Sequence, residues 1–180
     1  MNFYLISPPF ENRNFNYKNF DKITDVITVK FFQFRPKHES LVDRMKFVNK
    51  HYSEIADICK KKKIKMIIND DFKIAESFIF NGIHLGQDDK KCSDAKKKFG
   101  KKYIVGVSCS DSYELYLEAK NSKADYVAFG PFFKTKTKNK KKINLIQFEK
   151  FNKKLRLPFV LIGGINHSNF LELDRFKPDC

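Results

Sequence analysis

The chain lacks the marks of a membrane, secreted or metal-thiolate protein. No stretch approaches the roughly 20 apolar residues of a membrane span. The opening Met1-Asn2-Phe3-Tyr4-Leu5-Ile6-Ser7-Pro8 has neither the basic start nor the long apolar core of a signal peptide, so a cytoplasmic protein is expected. The four cysteines (Cys59, Cys92, Cys109 and Cys180) lie far apart with no CxxC pair. That spacing suggests neither a zinc site nor a disulfide framework and leaves packed, reduced thiols. Arginine is scarce: Arg13, Arg35, Arg44, Arg156 and Arg175 are outnumbered by lysine among the 36 basic residues. With abundant Phe, Asn and Ile, that bias reads as the codon usage of an AT-rich genome. The net charge of +15 therefore does not make nucleic acid a partner, although a general attraction for anions remains. The lysine runs at 60–63, 96–98 and 140–142 fall at expected helix ends or loops, where lysine is easily solvated.

Glycine is missing where a nucleotide-binding open sheet would need it. Short apolar runs at 3–7, 26–34, 65–69, 82–86, 103–108, 125–130 and 158–163 alternate with longer amphipathic or polar segments. Runs of this length, apolar throughout, predict buried parallel strands. The clearest helix is expected over 40–63, where Leu41, Met45, Val48, Tyr52, Ile55 and Cys59 form one stripe and Ser40 with Asp43 makes a capping-box-like start. Further helices are expected after Asp111-Ser112-Tyr113-Glu114, over 145–155 and over 166–176. Strand–helix alternation with short connections implies right-handed parallel crossovers. An open doubly wound sheet would carry a glycine-rich turn after its first strand. Ser7-Pro8-Pro9-Phe10 stands there instead, which favours a (β/α)8 TIM barrel. One domain over 1–180 is expected, truncated before or at the eighth strand, with the C-terminal strand and helix missing. A barrel short of one strand exposes two edges, which predicts poor stability or association as a homo-oligomer.

In a barrel of this kind the active site lies at the C-terminal ends of the strands. The second strand ends in Gln33-Phe34-Arg35-Pro36-Lys37, an amide and two cations within five residues, which taken alone reads more readily as a solvated loop than as a phosphate site. The third and fourth end in Asn69-Asp70-Asp71 and Gln87-Asp88-Asp89. Each acidic turn alone reads equally as a helix cap. Together on adjacent strands they favour Mg²⁺ held with substrate phosphates. Ser108 and Ser110 end the fifth strand, as helix caps or ligand contacts. Thr135, Thr137 and their flanking lysines follow the sixth, as phosphate contacts or a polar loop, and Gly163-Gly164 the seventh, as a tight turn or a place where N–H groups approach an anion at a helix N-terminus. His84 lies within the fourth strand as a packing or hydrogen-bonding residue. His38, His51 and His167 have no metal-ligand spacing.

The ordered series Q-x-R-x-K, N-D, G-x-H-L-G-Q-x-D, G-P-x-F-x-T-x-T-K and I-G-G-I resembles the thiamine phosphate synthase family over essentially the whole chain. The resemblance implies a barrel that joins a hydroxymethylpyrimidine diphosphate to a thiazole phosphate, small-molecule substrates both, with release of pyrophosphate and a need for Mg²⁺. It implies that Gln33, Arg35, Lys37, Asn69, Ser108 and Lys138 hold the pyrimidine diphosphate, Arg35, Lys37 and Lys138 being the catalytic cations. It implies Asp70 and Asp89 as the Mg²⁺ ligands, with Asp71 and Asp88 as neighbours. Thr135, Thr137 and Gly164 would hold the thiazole phosphate. The implied mechanism is dissociative and needs no general base.

Two departures and two alternatives stand beside that reading. Lys134 replaces a residue often proline or small in the family, and the last strand's phosphate contacts are absent. One alternative is a non-catalytic, truncated paralogue that binds phosphorylated ligands. The other is the related thiazole tautomerase, an isomerase that typically uses a histidine shortly after strand five, where this chain has Ser110.

Overall fold

The computed structural model describes residues 2–87, 89–135 and 142–180. They form two compact units, Asn2–Ile83 and a second over 84–180.

The first unit runs β1 (Phe3–Ile6), α1 (Tyr17–Val26), β2 (Val29–Phe34), α2 (Leu41–Lys61), β3 (Lys65–Asn69) and α3 (Phe72–Ser77), and ends inside β4 (Gly82–Leu85). β1, β2 and β3 pair in parallel, with Ile6 opposite Gln33 and Gln33 opposite Ile67. β2 and β3 are buried almost throughout because they are apolar on both faces. Phe32, Phe34 and Phe47 fill the core, and Phe15 stacks on Phe47 with centroids 5.8 Å apart. Each such side chain contributes about 1.5–3 kcal/mol by leaving water. Ser40 caps α2 as expected, accepting the Asp43 N–H at 3.0 Å while its hydroxyl donates to the Asp43 carboxylate at 2.7 Å. Val26, read as strand, ends α1 instead, because the Asn16 cap, accepting from Asn19 N–H, starts a helix through it.

The second unit continues from β4 through α4 (Cys92–Phe99), β5 (Ile104–Ser110), α5 (Tyr113–Asn121), β6 (Tyr126–Phe129), α6 (Leu145–Asn152) and β7 (Phe159–Leu161). β5, β6 and β7 pair in parallel, with Gly106 opposite Tyr126 and Phe129 opposite Leu161. Phe129, Phe148, Phe151 and Phe159 pack as one aromatic core. The expected last helix is a 3₁₀ segment, Phe170–Phe176, rather than an α-helix from 166. Asn166 and Asn169 explain the delay: the Asn169 side chain accepts the Asn166 N–H at 2.8 Å and donates to the Gly164 carbonyl at 3.0 Å, stabilising a turn there. After it, Asp179 N–H donates to the Phe159 carbonyl and Leu161 N–H to the Cys180 carbonyl, so the last two residues lie along β7.

Among the described residues no helix is long and apolar enough to cross a membrane.

Candidate active site

Strand ends in the first unit bring five of the expected residues onto one lip. Gln33 is buried near the end of β2, and its amide Nε2 donates to the Tyr4 hydroxyl at 3.1 Å. Beyond it the chain leaves the sheet under the control of Ser7, a buried residue directly after β1. Ser7 N–H donates to the Gln33 carbonyl at 2.9 Å, and Ser7 Oγ accepts the Arg35 N–H at 2.8 Å. Lys37 N–H then donates to the Pro9 carbonyl at 2.8 Å. Arg35 and Lys37 thus sit on a fixed segment rather than a solvated loop. Burial lowers the Arg35 pKa, and the nearby Asp70 charge opposes that shift, so the guanidinium remains a cation.

β3 supplies the acid. Lys37 Nζ lies 2.8 Å from Asp70 Oδ2, and the Asn69 amide donates to the same oxygen. Asp70 has a φ of 60°, the left-handed region that few non-glycine residues adopt. The turn is closed by the Asp71 N–H donating to the Asn69 carbonyl at 2.7 Å. Asp71, not Asp70, caps the next helix, its Oδ1 accepting from Lys73 and Ile74 N–H. The two neighbouring acids therefore divide the work: Asp71 starts α3, and Asp70 is left on the lip beside Lys37.

The second unit carries the other expected residues. Asp89 Oδ2 accepts the Gly86 N–H at 2.8 Å, and it does not cap α4, whose N-cap is Lys91. Ser108 Oγ lies 2.9 Å from His84 Nε2, while its carbonyl accepts from the Gln87 amide. His84 Nδ1 in turn lies 3.0 Å from the Tyr126 hydroxyl, whose ring packs on Gly106 so closely that a Cβ there would fall 2.0 Å from it. Ser112, rather than Ser108 or Ser110, caps α5. Gly163 and Gly164 have φ of 93° and 68° and lie against the loop of residues 131–134. A Cβ on Gly164 would come within 2.5 Å of the Lys134 carbonyl oxygen, so only glycine lets the backbone approach the segment leading to Thr135. Asp88, Thr137 and Lys138 lie outside the described residues.

Residues 3–176 match the family described as thiamine monophosphate synthase. The chain is 39% identical over 174 residues to the thiamine-phosphate synthase of Pelagibacter ubique, an alignment covering 94% of this chain and 80% of that protein. It is 34% identical to the thiamine-phosphate synthase of Thermoplasma acidophilum, over 92% of this chain and 75% of that one. The chain belongs to the thiamine monophosphate synthase family. A solved structure, thiamine phosphate pyrophosphorylase from Pyrococcus furiosus, superposes on 99% of the chain and 82% of its own length with a TM-score of 0.78 at 22% identity. That likeness shows the fold, the α/β TIM-type barrel expected from the strand–helix alternation.

Within this family frame the described acids suit a hard divalent cation. Among the described residues no cluster of three or more His, Cys, Asp or Glu side chains forms a closed metal cage. Asp70, held by Lys37 and Asn69, and Asp89, held by the Gly86 N–H, are single carboxylates, each suited to give one oxygen to an ion that draws its remaining ligands from substrate phosphate and water, the usual way of holding Mg²⁺. Sequence reasoning missed Tyr4, Ser7 and Arg44, which act on neighbours through hydrogen bonds that no spacing records. Ser7 had one legible signal, its place directly after an apolar strand.

Proposed function

We propose that this chain is a thiamine phosphate synthase, a transferase that condenses 4-amino-2-methyl-5-(diphosphooxymethyl)pyrimidine with a thiazole phosphate in thiamine biosynthesis. The observation that carries the reading is the lip of the first unit, where Arg35, Lys37, Asn69 and Asp70 gather an amide, two cations and a carboxylate at adjoining strand ends. Family membership supports the same assignment. The products are thiamine phosphate and pyrophosphate, made by a cytoplasmic enzyme.

In the proposed reaction the bond between the pyrimidine methylene and the diphosphate oxygen breaks first, and its electron pair leaves with pyrophosphate. The methylene cation is then captured by the thiazole ring nitrogen, which forms the new C–N bond. Neither step transfers a proton to a protein base. The placement of His84 agrees with that, since its two ring nitrogens face Tyr126 and Ser108. Gln33, Asn69 and Ser108 bind the pyrimidine diphosphate, and Arg35, Lys37 and Lys138 stabilise charge as it develops on the leaving group. Thr135, Thr137 and Gly164 hold the thiazole phosphate, positioning its nitrogen for attack. Asp70 and Asp89 would hold Mg²⁺, which supplies Lewis-acid stabilisation to the departing diphosphate.

The test is direct. Both substrates incubated with the chain and Mg²⁺ should give thiamine phosphate and one equivalent of pyrophosphate, and chelation should stop the reaction. No product with either carboxylated or decarboxylated thiazole phosphate would sink the proposal.

A further inference from the structure

Arg44 stands in the first turn of α2, behind the Lys37–Asp70 pair. Its Nη1 donates to the carbonyls of His38 at 2.9 Å and Glu39 at 2.7 Å, and its Nε donates to Asp71 Oδ2 at 3.0 Å. His38 directly follows Lys37, and Asp71 directly follows Asp70. One planar cation thus ties together the two segments that carry the proposed diphosphate and metal residues. Both partners are shielded, with side chains 25% and 14% exposed, so this pair is screened less than a surface one.

The lip needs such a tie. Asp70 is held in the left-handed region, a strained state of about 1–3 kcal/mol that persists only where its surroundings over-determine it. The Lys37–Asp70 contact cannot be that lasting restraint. In the proposed complex Lys37 would face phosphate oxygen and Asp70 the cation, and their direct pair would part. The bonds of Arg44 involve only the carbonyls after Lys37 and the carboxylate after Asp70, so they survive the exchange.

We propose that Arg44 and Asp71 are positioning residues that set the spacing between Lys37 and Asp70 for a metal-bound diphosphate. This role rests on the function proposed above. Neither residue touches the reacting atoms. They act by keeping the two segments at one separation before and after the ligand arrives.

Two mild variants test it. Asp71→Asn retains a side-chain oxygen to cap α3 but loses the charge. Arg44→Lys keeps a charge but loses the fork that reaches three oxygens at once. Calorimetry with inorganic pyrophosphate and Mg²⁺, the KM of each substrate, and the melting temperature are measured on all forms. Each variant should bind magnesium pyrophosphate about 10-fold more weakly, with a matching rise in KM for the pyrimidine diphosphate. The KM for thiazole phosphate should stay near that of the parent, and the melting temperature should fall only slightly, by the loss of one shielded pair. The double variant should be no worse than Arg44→Lys alone, because both changes weaken the same Arg44–Asp71 pair and only Arg44→Lys gives up the two carbonyl bonds as well. An active parent whose variants bind pyrophosphate normally overturns the positioning role alone. So does a general fall in melting temperature with both KM values rising together. A parent that neither binds magnesium pyrophosphate nor forms product overturns the proposed function, and this role with it.

Discussion

The imidazole of His84 hydrogen-bonds the Ser108 hydroxyl through Nε2 at 2.9 Å, joining β4 to β5 beneath a proposed substrate-binding side chain. Nδ1 meets the Tyr126 hydroxyl at 3.0 Å on β6. A neutral imidazole has one donor and one acceptor, so it can serve two hydroxyls, which themselves donate or accept. Replacing it by an apolar group leaves both hydroxyls short of a partner, the Tyr126 hydroxyl in a buried place and that of Ser108 in a half-buried one. His84→Leu should cost about 2 kcal/mol of unfolding free energy, and Tyr126→Phe about 1 kcal/mol, read from urea denaturation. Turnover should fall more in His84→Leu, because only that change releases Ser108.

Asp70 separates function from stability. Its ion pair with Lys37 is partly exposed and worth no more than about 1 kcal/mol. Asparagine also tolerates the left-handed backbone that Asp70 adopts. Asp70→Asn should therefore melt close to the parent protein while turnover drops about 100-fold. A variant that keeps parental rates at limiting Mg²⁺ would exclude Asp70 as a metal ligand.

Acid sensitivity should trace to His51 on α2. Its ring lies against Phe15 and Phe47, with centroids 4.7 and 5.2 Å away, and Nε2 is buried without a hydrogen-bond partner. The Glu11 carboxylate is 3.7 Å off, too far for a hydrogen bond. Burial lowers the His51 pKa below its ordinary 6.5, outweighing the pull of Glu11, and Lys50 adds to the lowering. The unfolded chain thus takes up a proton near pH 6.5 that the folded chain still refuses, and stability falls as pH drops through that value. Glu11 acts in a lower window, since its own pKa is depressed below 4.5, chiefly by its hydrogen bond to Lys50. His51→Phe should remove part of the loss between pH 7 and 5 and raise the urea midpoint at pH 5. An unchanged pH profile would contradict the assignment.

Much of this protein was legible because its strands are apolar on both faces and its helices start at side-chain caps. β3 falls at the residues read from Lys65-Met66-Ile67-Ile68-Asn69, and Ser40 and Ser112 cap the two helices expected after them. Less legible were α1, α3 and α4, short or strongly polar segments whose formation depends on packing against the sheet. The site divides in the same way. Gln33, Arg35, Lys37, Asn69 and Asp70 were visible as residue types at strand ends. That Asp71 caps a helix while Asp70 faces a lysine was not visible, because the division depends on a single positive φ. Arg44 was hidden for a different reason: it reaches the lip across 27 residues of sequence to Asp71.

The cysteines should be chemically quiet in the native state. Burial pushes the Cys59 and Cys109 thiols up to about 12 and Cys92 up to about 11. Thiolate is the reactive form, so these three should resist an aromatic disulfide reagent at pH 8 and react promptly in urea. The native titre should not exceed one thiol, that of Cys180. Three or four fast thiols in the folded protein would contradict the buried placement.

The Lys37–Asp70 contact has a consequence for how ligands compete. Without substrate, Lys37 and Asp70 are partners in one ion pair, with the Arg35 cation nearby. A lone anion that recruits Lys37 takes from Asp70 its 2.8 Å ion pair, and a lone divalent cation that recruits Asp70 takes the same pair from Lys37. A ligand bringing both signs together satisfies both at once. Metal and diphosphate should therefore enter as mutual promoters, each raising the apparent affinity for the other and each binding poorly alone.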